Sequence, residues 1–233
     1  MLSRNFILLL FISTLFSQST MNGYGYGMFA NNSDAAALGS GSVGLLPSFK
    51  TGVSLSNPST WHKLPVTYLS TSFEGQNNEF SSNTSAHSGL ASAKLIIPAK
   101  QKLSFGLTFN PLFSREITIV DSTFSEFIFT NSDTLGYSRS NTTGGGSSMA
   151  QLAIGYKLTD TDDIGVGLDV VFGSSRSTQN LIIDSDNHLL QSRDYFSGSL
   201  LELYYTTSRF SFNENPLILS LNYNFSLNDI DVE

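Results

Sequence analysis

The chain has 233 residues, with 12 Lys+Arg against 19 Asp+Glu, a net charge of −7 and no cysteine. The acidic balance argues against a nucleic-acid binder, which needs a basic surface. Without cysteine, no disulfide, thiolate metal site or cysteine-linked lipid anchor is expected.

Residues 1–19 read as a secretory signal peptide. Arg4 supplies a positive start, residues 6–16 an apolar stretch of 11 residues, and Ser17 and Ser19 are small residues suited to a cleavage site. That stretch is too short for a membrane helix, which needs about 20 apolar residues; an N-terminal membrane anchor is the alternative. Cleavage would remove one cation, Arg4, and leave a net charge of −8. No later apolar stretch reaches helix-spanning length. A membrane protein of this sequence would therefore cross as a closed β-barrel.

Residues 20–63 do not alternate. They carry Gly23, Gly25 and Gly27, then Asn32 or Ser33 as the cap of a short helix through Leu38, ended by Gly39. Gly41, Gly44 and Gly52 follow, then Asn57-Pro58-Ser59 and Trp61. Such a segment reads as compact and irregular, and inside a barrel it would be a plug or hatch. Leu38, Val43, Leu45, Leu46 and Val53 argue against a free tail, because disordered segments carry few apolar residues.

From residue 64 onward, apolar residues alternate with small or polar ones, as on a strand with two unlike faces. The clearest run is Ile164, Val166, Leu168, Val170 and Phe172, set against Gly165, Gly167, Asp169, Val171 and Gly173. The same rhythm runs through 103–110, 151–158 and 217–225. Strands are predicted near 65–74, 88–98, 102–113, 115–121, 124–130, 134–140, 148–158, 163–174, 178–184 and 194–207, with one more at 216–226. Short links at 98–101 and 159–162 contrast with longer polar ones at 75–86 and 184–194. Short turns on one side and long loops on the other, with apolar and polar faces, read as an antiparallel transmembrane β-barrel. A secreted β-sandwich is the competing reading. Aromatics at strand ends (Trp61, Tyr68, Tyr137, Tyr156, Tyr195, Tyr204, Tyr205, Tyr223 and Phe225) would form the interface girdles of a barrel.

The polar face would line the lumen: Lys94, Ser104, Thr108, Asn110, Gln151, Lys157, Asp169, Asn222 and Asn224. This weakly charged set does not resemble a porin constriction, where rings of one sign select ions. It suits an amphipathic or hydrophobic solute better.

Signals for chemistry are sparse. Gly39-Ser40-Gly41-Ser42-Val43-Gly44 matches a dinucleotide-binding glycine pattern, but no strand precedes it and the next acid is Glu74. His62, His87 and His188 are isolated, and no nucleophile elbow is present. Asp162-Asp163 and Asp184/Asp186 read as solvated turn residues, with calcium as the alternative. Neither an enzyme nor a cofactor is expected.

The stretch Ala36-Ala37-Leu38-Gly39-Ser40-Gly41-Ser42-Val43-Gly44, followed by Leu55-Ser56-Asn57-Pro58-Ser59, resembles the N-terminal hatch of the FadL-type outer-membrane proteins and their PorV-like relatives. Those families carry a small-residue stretch and then Asn-Pro-Ala; here the third motif residue is Ser59. Residues 144–157 and 164–173 are similar to their glycine-rich strands. The resemblance implies a barrel of about 14 strands with a hatch in its lumen, within the usual range for such barrels. It further implies either passage of long-chain fatty acids and other hydrophobic compounds, or a scaffold that binds secretion components or exported cargo. Gly39, Gly41, Gly44, Asn57, Pro58 and Ser59 would be hatch-positioning residues, not catalysts. The expected organisation is leader 1–19, hatch 20–63 and barrel 64–233. Its 10 or 11 strands point to the N-terminal part of a longer barrel, with a complete, smaller barrel of ten strands as the alternative; either is expected in the outer membrane of a Gram-negative-type bacterium.

Overall fold

The computed structural model describes residues 28–29, 53–80, 83–99, 102–115, 117–129, 134–183, 186–212, 215–228 and 231–232. The leader, the expected helix at 32–38, and Gly39, Gly41 and Gly44 lie outside the described residues.

The described chain is all-β apart from one 3₁₀ helix, Pro58–Lys63. Ten strands run in order: β1 Met28–Phe29, β2 Tyr68–Phe80, β3 Asn83–Ala99, β4 Leu103–Ser114, β5 Ile117–Phe129, β6 Thr134–Lys157, β7 Asp162–Ile183, β8 Asp186–Phe212, β9 Asn215–Ser226 and β10 Asp231–Val232. All pairings are antiparallel, in one sheet of order β10-β8-β7-β6-β4-β3-β2. Off this path, β1 pairs with β4, β5 with β6 and β9 with β8.

The sheet does not close into a barrel. Among the described residues no pairing joins β2 to β9, so each keeps a free edge. The hydrogen-bonded path is seven strands wide, short of the about eight whose side chains just fill a barrel interior.

Several expected strands fuse. The expected strands near 134–140 and 148–158 merge in the single 24-residue β6, Thr134–Lys157, and those near 163–174 and 178–184 in the 22-residue β7, Asp162–Ile183. Those near 115–121 and 124–130 merge in β5, Ile117–Phe129, with a register break between Asp121 and Glu126. The expected polar loops are largely strand as well. β2 pairs with β3 as far as Phe80 opposite Asn83, and β7 with β8 as far as Ile183 opposite Asp186. β6 changes partner midway: residues 134–143 face β5 and 146–156 face β4. Gly145, at φ 98°, sits at that change, where a side chain would also meet the Ser174 carbonyl oxygen at 2.3 Å.

The alternation resolves into two unlike faces. One carries Phe105, Leu107, Leu152, Ile154, Val166, Leu168, Val170 and Phe172, all solvent-exposed. The other buries Ser104, Thr108, Asn110, Gln151, Asp169, Glu202 and Thr206. This inverts the usual arrangement; buried polar side chains and a large exposed apolar face are the two observations that carry information about environment.

The 3₁₀ helix lies on the polar face and contacts β3, β4, β6, β7 and β8. The apolar core is correspondingly small: Val53, Leu55, Trp61, Ile96 and Ala153, with Leu64 and Tyr68 packed against it.

Candidate functional site

The segment 53–64 and its seat on the sheet form the most elaborate site in the described chain. Asn57 caps the 3₁₀ helix and Pro58 follows at its first turn, positions that suit both residues: Asn accepts from orphan amides, and Pro has no amide to orphan. Asn57 Oδ1 accepts from the Ser59 amide at 3.2 Å and the Ser59 hydroxyl at 2.7 Å. Its Nδ2 donates to Thr206 Oγ1 on β8 at 3.0 Å, and Ser59 Oγ lies 2.8 Å from the same oxygen. The motif is thus bonded to a strand about 150 positions away. Thr60 Oγ1 accepts from the Ser54 amide at 3.0 Å. The Trp61 indole donates to the Ser54 and Leu55 carbonyls at 3.1 and 3.2 Å.

Three glycines on adjacent strands make the seat. A Cβ at Gly155 would lie 1.9 Å from the Pro58 carbonyl oxygen, one at Gly165 2.7 Å from the Ser59 amide, and one at Gly106 2.1 Å from the Trp61 ring. Gly155 and Gly165 are directly paired across β6 and β7. The absence of side chains lets the segment approach the backbone of the sheet.

Charged groups fix the ends of the segment. Lys94, almost fully buried on β3, donates to Ser56 Oγ at 2.6 Å. Asp163 takes Lys63 at 2.6 Å and faces His62 Nε2 at 3.3 Å. His62 Nδ1 lies 3.0 Å from the Ser59 carbonyl oxygen. Burial pushes the His62 pKa below its ordinary value, reinforced by Lys63 and opposed by Asp163. Ser59, His62 and Asp163 are neighbours, yet they form no nucleophilic relay: the Ser59 hydroxyl bonds to Asn57 and Thr206, and the His62 ring meets only its carbonyl.

Asp162 is saturated too. It accepts from Thr159 at 2.6 Å, Tyr205 at 2.8 Å and Thr207 at 2.9 Å, and pairs with Arg209. These donors, Thr159 first, hold its carboxyl well below the ordinary carboxylate range. Asp162 and Asp163 are therefore engaged with protein donors and cations, in place of the solvated or calcium-binding turn residues expected. Among the described residues, no three His, Asp or Glu side chains are grouped as metal ligands.

Beyond the segment, a cavity of about 90 Å³ is lined by Ser56, Lys94, Thr108, Asn110, Gln151 and Glu202, among others. Glu202 accepts from Gln151 Nε2 at 2.8 Å and from the Tyr204 hydroxyl. Thr108 Oγ1, Asn110 Oδ1 and both Asp169 oxygens are buried without a hydrogen-bond partner. This is a polar interior, able to take water or polar groups of a solute.

Of the residues singled out in the sequence, Asn57, Pro58 and Ser59 come together at this site and are fully or nearly fully buried. Lys94, Ser104, Thr108, Asn110, Gln151 and Asp169 share the buried face. Lys157 and Asn222 are half-buried and Asn224 is exposed at the open edge. The aromatic expectation is corrected in part. Trp61 and Tyr204 are buried, because each has a polar atom that finds a partner inside, while Tyr156, Tyr195, Tyr223 and Phe225 are exposed. The seat glycines, Thr206 and Glu202 were not singled out as a site. Gly155 and Gly165 fall within the glycine-rich stretches 144–157 and 164–173 noted in the sequence; for Gly106, Thr206 and Glu202 the one signal was the small or polar character of alternate strand positions. No family model, curated protein or solved structure matches the chain.

Proposed function

We propose that these strands form part of the wall of an outer-membrane β-barrel, and that segment 53–64 plugs its lumen and controls passive entry of hydrophobic or amphipathic solutes. The observation that carries the reading is the inverted polarity: apolar side chains on the exposed face, polar ones around the buried segment. The apolar run on β7, Ile164 to Phe172, covers nine residues, and a membrane-crossing strand needs about 9–11. Beyond it β7 and β8 continue paired for another 11 residues of β7, which in this reading project from the membrane as a long hairpin.

Lipid does not tolerate free strand edges, so the reading requires further strands beside β2 and β9. In a FadL-like barrel of about 14 strands, the path described here would be about half the wall.

The test uses the 2.8 Å approach of Ser59 and Thr206. In a cysteine-free chain, S59C/T206C can tie the segment to β8 by oxidation. Entry of a fluorescent fatty acid into vesicles carrying the protein should stop on oxidation and return on reduction. Deleting residues 53–64 should raise leak. Entry indifferent to both changes would overturn the transport reading. It would favour the second one, a PorV-like scaffold for secretion components or cargo, which the close fit of the segment on its glycine seat supports.

A further inference from the structure

On the exposed face of β7 the apolar run ends at Phe172, and the next outward positions are Ser174 and Arg176. Register sets Arg176 directly opposite Arg193 of β8. Like charges so placed repel, yet neither arginine forms an ion pair among the described residues. Asp194, next to Arg193 in sequence, is turned to the other face, where it takes Ser175 and Arg115, each at 3.3 Å.

Arg193 is held in place. Its Nη2 donates to Ser174 Oγ at 3.1 Å, and its guanidinium lies 4.8 Å from the centre of the Tyr195 ring. Between the two arginines and β6 runs an open groove of about 360 Å³, bordered by Gly144, Gly145, Ser174, Arg176, Thr178 and Arg193. A side chain at Gly144 would meet nothing within 4 Å, so backbone leaves the groove clear. Two guanidinium forks and two hydroxyls converging on a clear space are a donor set for a phosphate.

We propose that this groove binds the phosphate of a lipid headgroup at the rim of the apolar face, on the side of the long hairpins. The inference rests on the membrane-barrel reading. The lipid is favoured over free phosphate because Arg176 stands only four residues past Phe172, about 13 Å along the strand. A headgroup held there lays its acyl chains on Phe172 and Val170; a free anion gains nothing from that face.

The test is native mass spectrometry of the chain in phosphatidylcholine nanodiscs supplied with lipid A. The wild-type chain should retain lipid A. The variant R176Q/R193Q should retain it at least about tenfold less, the loss expected for charge-assisted hydrogen bonds. R139Q, whose arginine bonds to Gln179, should behave as wild type. Excess inorganic phosphate should leave the lipid in place. Equal retention by wild type and double variant, equal retention of dephosphorylated lipid A, or displacement by inorganic phosphate would each overturn the proposal. A chain that enters the nanodisc but holds no lipid A overturns this inference alone. A chain that enters but turns Val170 and Phe172 away from the lipid overturns the barrel reading and this inference together.

Discussion

The Pro58 carbonyl oxygen sits where a Gly155 side chain would be, and because both are backbone positions neither can step aside cheaply. Gly155→Ala should therefore cost about 1–3 kcal/mol, the usual range for overpacking. Gly75→Ala, where the added methyl meets nothing, should leave stability unchanged or slightly raised. Trp61 is the chain's single tryptophan and is fully buried, so denaturant unfolding followed by its emission reads both variants at the site itself. His62 adds a pH dependence. Its folded pKa lies below the ordinary 6.5, so the folded site takes up a proton less readily than the unfolded chain. Anchoring is complete above pH 6.5, weakens as pH falls from there towards the lowered folded pKa, and levels off beneath it. The difference in the midpoint of Trp61-monitored unfolding between the wild-type chain and His62→Gln should follow that course. A difference that does not change with pH would contradict the burial argument.

The 3₁₀ helix and β8 are joined through Thr206, which faces both Asn57 and Ser59. Thr206→Val removes the hydroxyl while keeping the shape, and leaves the buried Asn57 amide without this partner. A loss of about 0.5–1.5 kcal/mol is expected for the lost buried hydrogen bond. It should appear as earlier release of Trp61, with the strand signal in circular dichroism retained. Simultaneous loss of both would show that the segment is part of the folding unit of the sheet. Asn57-Pro58-Ser59 was legible in the sequence as a positioning motif because capping chemistry is local. Its partner Thr206 was not legible, since a contact across about 150 residues leaves no mark on local pattern. Strand lengths divide in the same way. Alternation located the parts of β6, β7 and β8 with one apolar and one polar face. It failed in the links expected at 75–86 and 184–194, whose described residues 75–80, 83–86 and 186–194 sit on strands that stay paired beyond the apolar run. There no contrast between faces remains for the sequence to record.

At the scale of the whole molecule, one antiparallel sheet carries its grease on the exposed side and seats residues 53–64 on its polar, buried side. The all-β class and the two unlike faces were readable from period-two alternation. Closure was not, because it depends on the number and tilt of strands rather than on any one of them. The most direct test of the account is a nitroxide scan along β7. The chain has no cysteine, so single-cysteine variants from Val166 to Phe172 can be labelled one at a time and reconstituted into phosphatidylcholine vesicles. Oxygen, which concentrates in the hydrocarbon core, should relax labels at 166, 168, 170 and 172 strongly and those at 167, 169 and 171 weakly. A flat profile, or one with its maxima at Gly167, Asp169 and Val171, would contradict the account.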